Sequence, residues 1–368
     1  MKYQWLTAWA LVVPLGAAGQ QADSVQAPPA AAAPPLTFFG YVEGYYGYDF
    51  RHARQPRRPA FLYAHARQNE FSINNALVGL RYEQGHVRAA AGLHAGTYVA
   101  ANYAAEEAAL RPIYEAYAGF RPFRRTWLDV GIFSSHLGFE SAIGKDNWTL
   151  SRSLMAENSP YYEAGARLTY EASPRLTLTA LVLNGWQNIG ETNGAKALGT
   201  QVQWKPTARL VLNSSSFYGN EQPRDSVRRR RYFHHAYASY AATRRLSLAV
   251  VADVGWQESE PTRPRADTWH TAALLARFQL AAGWHAALRG EYYRAGRGVI
   301  IRAAAPRGAA ANLLVRGASL NLDHAPSANL LVRVEGRLLS APTALFDRST
   351  ARPTRSYVNV TTSLACSF

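Results

Sequence analysis

Cysteine is all but missing: Cys366 has no partner anywhere in the 368 residues, which excludes a disulfide-stapled fold. Charged residues are sparse at 18%, against 12% aromatic, a balance that excludes a disordered chain. Beyond the N-terminus no apolar run approaches the roughly 18 to 20 residues a helix needs to cross a bilayer, so a bundle of membrane helices is excluded too. Lysine is scarce: only Lys2, Lys145, Lys196 and Lys205 stand among 40 basic residues, the rest being arginine. The resulting net charge of +15 comes with no zinc-finger or RNA-recognition spacing, and no nucleic-acid partner is expected. The arginines lie in scattered clusters: Arg51, Arg54, Arg57 and Arg58; Arg228 to Arg231; Arg294, Arg297, Arg302 and Arg307.

Metal and enzyme signatures are missing as well. The ten histidines are dispersed, and the adjacent pair His234 and His235 would point to opposite faces of a strand, so no metal and no cofactor is expected. His94 and Ser134 have no recognisable nucleophile motif around them, and the chain is not read as an enzyme.

What is present begins with an export signal. Residues 1–19 carry Lys2, an apolar stretch from Trp5 to Leu15 and the small residues Gly16 to Gly19, the order of a cleaved secretory leader. Residues 20–36 form a Pro/Ala-rich leader with little to bury, expected to be a disordered tether.

From there to the C-terminus, 37–368, hydrophobicity alternates with period two over about sixteen segments. Many run nine to thirteen residues, the length of a tilted strand crossing a membrane and longer than an ordinary globular strand. Short turns such as Gln84-Gly85, Pro206-Thr207-Ala208, Ala281-Ala282-Gly283 and His324-Ala325-Pro326 alternate with longer polar loops all along the chain. That alternation predicts an all-β fold, a transmembrane up-and-down antiparallel barrel with short periplasmic turns and long extracellular loops. Charges within one strand share one parity, as in Glu163, Arg167 and Glu171 or in Arg333, Glu335 and Arg337, while the other parity is apolar.

This parity points Glu43, Arg81, Glu83, Arg88, Glu115, Asp129, Glu163, Arg167, Asp253, Arg277, Arg289, Glu291, Arg333, Glu335 and Arg337 toward a lumen wide enough to hold water. Seven are basic and eight acidic, so the excess positive charge belongs to the long loops. There it either concentrates small anions or pairs with the phosphates of surrounding lipopolysaccharide.

The opening strand Phe38 to Phe50, the stretch Trp127 to Leu154, the segment Ser159 to Tyr170 and the terminal aromatic together resemble the OmpL-like β-barrel porins of Gram-negative outer membranes. The resemblance covers the mature chain almost end to end. It implies an outer-membrane location and a water-filled channel for passive diffusion of small hydrophilic solutes or ions, and it carries over no catalytic residue. Outer-membrane lipid, lipopolysaccharide and the barrel-insertion machinery are the implied partners, a homo-oligomer being compatible. Phe368 resembles the insertion signal of such barrels. The third long loop, with Glu140, Lys145, Asp146, Arg152 and Glu157, resembles a porin constriction loop; the alternative is a surface loop packed on its neighbours. The competing functional reading is a barrel that acts as a binding or surface-interaction scaffold without significant conductance.

Overall fold

The computed structural model describes residues 34–50, 56–259, 265–301, 312–346 and 353–368. The expected export signal and most of the 20–36 leader lie outside the described residues, as do Arg51, Arg54, Arg302 and Arg307. Sixteen strands follow one another: β1 Leu36–Asp49, β2 Phe71–Gln84, β3 Val87–Ala95, β4 Ile113–Phe120, β5 Thr126–Ser134, β6 Tyr162–Ser173, β7 Leu176–Leu183, β8 Ala197–Thr207, β9 Leu210–Asn220, β10 Arg230–Ala241, β11 Leu246–Gln257, β12 Asp267–Ala281, β13 Trp284–Ala295, β14 Leu313–Ser327, β15 Leu330–Ser340 and β16 Ser356–Ser367. Each pairs antiparallel with its chain neighbours, and β1 closes on β16 in a register running from Tyr41↔Ser367 to Asp49↔Asn359. Closure leaves no free sheet edge, which a chain surrounded by lipid requires. Two short helices, α1 Thr97–Asn102 and α2 Leu154–Glu157, sit in long loops, and no helix among the described residues is long and apolar enough to cross a membrane.

The period-two pattern sorts as expected. Val78, Leu274 and Leu320 on the outer face are more than half exposed, whereas their inward neighbours Leu77, Leu275 and Asn321 are buried. Outward aromatics close both rims: Tyr232 stacks on Trp256 with centroids 4.1 Å apart at the long-loop end, and Trp284 stacks on His324 at 4.2 Å at the short-turn end.

Two turns lie later than the sequence suggests. Pro206 and Pro326 read as turn residues, yet β8 and β14 run through them, each at a register shift next to the hairpin. A proline lacks the N–H that a regular ladder needs, and a bulge near a strand end is where that loss is tolerated.

The lumen departs further from expectation. Toward the long-loop end, with Asp49 and Arg231 as charged exceptions, many inward side chains are apolar, among them Phe217, Phe233, Trp269, Val315, Leu339 and Tyr357. They form one buried cluster with Phe61, Leu62, Leu137, Leu154, Ile301 and Phe346, which the long loops carry into the barrel. A side chain lining a water-filled pore keeps accessible surface, and these keep at most 7%. This part of the barrel is a packed core, because six apolar loop residues bury more favourably against an apolar wall than in water.

Candidate functional site

All fifteen wall charges lie on the inner face, but in two environments. Arg81, Glu83, Arg88, Glu115 and Arg167 line a cavity of about 660 Å³. It sits at the short-turn end, where Asn329 of the β14–β15 turn and Phe368 complete its rim. Of the lining charges Glu115 and Arg167 are largely buried; Glu43, Asp129, Glu163, Asp253, Arg289, Glu291, Arg333, Glu335 and Arg337 are buried without lining the cavity, and Arg277 is half-buried. The cavity charges pair along the wall: Arg81 with Glu115 at 2.9 Å, and both Arg88 and Arg167 with Asp129, at 2.6 and 2.8 Å. Glu83, at the exposed edge, meets Arg121 at 3.3 Å.

Of the buried charges, Glu163, Arg289, Glu291, Arg333 and Glu335 hold a loop, whereas Asp129 pairs with Arg88 and Arg167 and Asp253 with His235 of β10. Residues 135–161 leave β5 and cross the lumen, and the far wall supplies hydrogen bonds that their irregular backbone would otherwise lack inside a protein. Arg333 is held by Asp323 at 2.7 Å and donates to the carbonyls of Gly144 and Asn147, both at 2.8 Å. Arg289 donates to Thr149 Oγ1 at 2.7 Å and to the Ser151 carbonyl at 2.6 Å. Glu335 accepts from the Ser151 N–H, Asn321 from the Leu150 N–H at 3.0 Å, and Glu291 from the Leu154 N–H at 2.6 Å. Glu291 is in turn fixed by Arg337 at 2.7 Å. Where the loop leaves the wall, Gly131 of β5 faces Gly165 of β6. The Gly131 φ of +135° and a position 2.2 Å from the Ala116 carbonyl oxygen leave no room for a Cβ.

Each constriction-loop candidate has a place in this arrangement. Arg152 is wholly buried and ties the loop to itself through the carbonyls of Ser141, Ala142 and Leu150. Glu140 accepts from the Ser153 N–H at 3.1 Å. Lys145 donates to Ser367 Oγ at 2.9 Å and, with Asp146, lines the cavity. Glu157 on α2 accepts from the N–H groups of Tyr63 and Ala64, at 2.8 and 3.1 Å, and so latches the first long loop onto the third. Next to that latch His65 lies 3.3 Å from Glu43, and Asn74 donates to the same carboxylate at 2.7 Å. Burial pushes the Glu157 carboxyl up to about 7, the neighbouring Arg152 and the two N–H donors only partly opposing it.

Sequence reasoning missed the partners. Asp323 and Asn321 hold the loop, and the other charge on β14, Arg316, has the opposite parity, so no same-face charge pair on that strand marks them. His136, which joins Glu163 at 2.9 Å and the Ser216 carbonyl at 2.8 Å, is one more loop histidine in the sequence. Trp127 and Phe133, which stack beneath Arg88 and Arg167, carry no signal beyond strand aromaticity. Among the described residues no group of three or more His, Cys, Asp or Glu side chains is arranged to hold a metal.

The profile of the family described as "Putative beta-barrel porin-2, OmpL-like" matches residues 35–368. No curated protein sequence matches significantly. Among solved structures the chain is similar to the outer membrane channel DcaP of Acinetobacter baumannii, with TM-score 0.60, 12% identity, and 90% of this chain and 97% of that one covered. It is similar to the anion-selective porin from Comamonas acidovorans, with TM-score 0.59, 11% identity, and 90% and 99% covered. A trimer form of OmpT, an outer membrane protein of Vibrio cholerae, aligns with TM-score 0.57 at 8% identity over 90% and 99%. At these identities the likeness is one of fold.

Proposed function

The chain belongs to the OmpL-like β-barrel porin family, and we propose that it is an outer-membrane porin passing small hydrophilic solutes or ions, not an enzyme. The observation that carries this reading is the loop 135–161 crossing the lumen on hydrogen bonds donated by Arg289 and Arg333 and accepted by Glu335, an arrangement suited to setting a channel's width. The wall charges are then of two kinds. Arg81, Glu83, Arg88, Glu115 and Arg167 meet solute at the short-turn vestibule, while Glu163, Arg289, Glu291, Arg333 and Glu335 position the constriction.

In this proposal the described conformation is the closed one. Phe61, Leu62 and Phe346 pack in the apolar cluster at the long-loop end, and returning each such side chain to water costs roughly 1.5 to 3 kcal/mol. Opening therefore needs these residues to move together with Leu137, Leu154 and Ile301 of the same cluster. Outer-membrane lipid surrounds the apolar outer face, lipopolysaccharide phosphates meet the loop arginines, and the half-free Phe368 ring serves the insertion machinery. The OmpT trimer makes a homo-oligomer one assembly to look for.

The same apolar cluster favours a second reading, a surface-interaction scaffold that does not conduct. Planar-bilayer recording on refolded protein separates the two: discrete ohmic steps support the porin, and a bilayer that stays sealed at every voltage supports the scaffold. Deleting Glu140 to Arg152 is expected to enlarge the unit conductance; an unchanged step size would remove this loop from the constriction.

A further inference from the structure

We propose that the vestibule at the short-turn end is a binding site for a small organic monoanion with an aromatic body, its carboxylate seated on Arg88 and Arg167. The proposal deepens the porin reading by naming a solute class, although binding itself does not require conduction.

The first ground is electrostatic. Arg88 and Arg167 both place Nη2 on the same oxygen of Asp129, at 2.6 and 2.8 Å, so two guanidinium charges share one carboxylate that is itself fully buried. The nearest other wall carboxylate, Glu115, is taken by Arg81 at 2.9 Å. This patch of wall therefore carries an excess positive charge away from bulk water, where a charge is costly unless paired.

The second ground is geometry. Both arginines use Nε and Nη2 on Asp129. Their Nη1 groups make no hydrogen bond among the described residues and are not sealed from solvent, which leaves them to the cavity that both residues line. The Arg167 side chain is only 9% exposed. Neither guanidinium is free to swing: Arg88 lies 4.3 Å from the Trp127 ring centroid and Arg167 4.4 Å from that of Phe133. Two Nη1 groups, one from each of two fixed guanidiniums, can donate to a carboxylate, and their fixation lowers the ordering cost of binding.

The body of the ligand follows from the rest of the lining. About 660 Å³ lies within the range of small-molecule sites, and Phe39, Leu77, Tyr117, Phe133 and Ile143 give it apolar and aromatic walls. A bare anion would leave that surface wet, and a neutral aromatic would leave the excess charge unpaired.

Isothermal titration of the full-length, detergent-refolded barrel with benzoate, acetate and benzyl alcohol tests the proposal. Benzoate is expected to bind saturably at one site per chain, and acetate and benzyl alcohol at least tenfold more weakly. R167Q is expected to weaken benzoate binding at least tenfold. Because that variant also disturbs the Asp129 pair, R88K, which keeps the charge and can keep a bond to Asp129 but loses the Nη1 donor, is the second variant, with a severalfold loss expected. Benzoate binding no better than either control, or undiminished in both variants, would overturn the site. The channel reading fails or stands separately. A barrel that conducts without binding benzoate sinks only the site, and one that binds benzoate while the bilayer stays sealed sinks only the channel.

Discussion

Two glycines show how the same lack of space has opposite consequences. A Cβ on Gly40 would lie 2.2 Å from the Phe368 ring, and one on Gly131 would lie 2.2 Å from the Ala116 carbonyl oxygen. The ring is 71% exposed and can turn away, whereas the carbonyl belongs to the neighbouring strand, and Gly131 also has a φ of +135°. Gly40→Ala is therefore expected to cost within about 1 kcal/mol, and Gly131→Ala several times more, read from the temperature at which the folded band is lost in heat-modifiability gels. A wall arginine behaves differently again. Arg333→Met strands the Asp323 carboxylate, which is 1% exposed, and releases two loop carbonyls. A loss of about 3 to 5 kcal/mol in urea unfolding is expected, with much of it recovered in the double variant Arg333→Met/Asp323→Leu. Full additivity of the two single changes would mean that the pair is not coupled.

At the scale of elements, the latch between the first and third long loops titrates. Glu157 is raised from 4.5 to about 7 by burial. Its carboxyl faces the Tyr63 and Ala64 N–H groups, with Arg152 and Arg337 as the neighbouring cations and the buried phenols of Tyr98 and Tyr161 nearby. Released into water, the same carboxyl ionises at its ordinary value, so the docked state holds more protons between about 4.5 and 7. Docking is thus favoured fully below that window and weakened as pH rises through it. Recorded in bilayers, open probability is expected to increase between pH 5 and 8 in the unmodified chain and to flatten in Glu157→Gln. A pH response that survives that substitution would assign it to another group, His65 beside Glu43 being the next to test.

For the molecule as a whole, charge is divided between wall and vestibule. Four basic residues, Arg81, Arg88, Lys145 and Arg167, face three acidic ones, Glu83, Glu115 and Asp146, across the cavity. A tenfold potassium chloride gradient is expected to give a reversal potential of the sign for weak anion preference, and a cation-selective sign would place the conducting path elsewhere.

The strands were legible because a membrane-spanning barrel imposes one rule on every segment: alternate side chains meet lipid, and the chain must be long enough to cross. That rule acts on neighbours in sequence, so composition and period carry it, and it placed all fifteen wall charges on the inner face. What fills the lumen obeys no such rule. Phe61, Leu137, Ile301 and Phe346 are ordinary loop residues until closure of β1 on β16 brings them over an apolar wall. One signal was present, in that Phe217, Phe233, Trp269 and Val315 make the inward face of these strand ends apolar, a pattern suited to a packed interior and not to a wet one. Sequence alone thus determined the cylinder and its two faces. Only the tertiary structure decided which charges meet solvent and which hold a loop, because that depends on contacts between residues far apart in the chain, such as Arg333 with Gly144, 189 positions away, which no local period records.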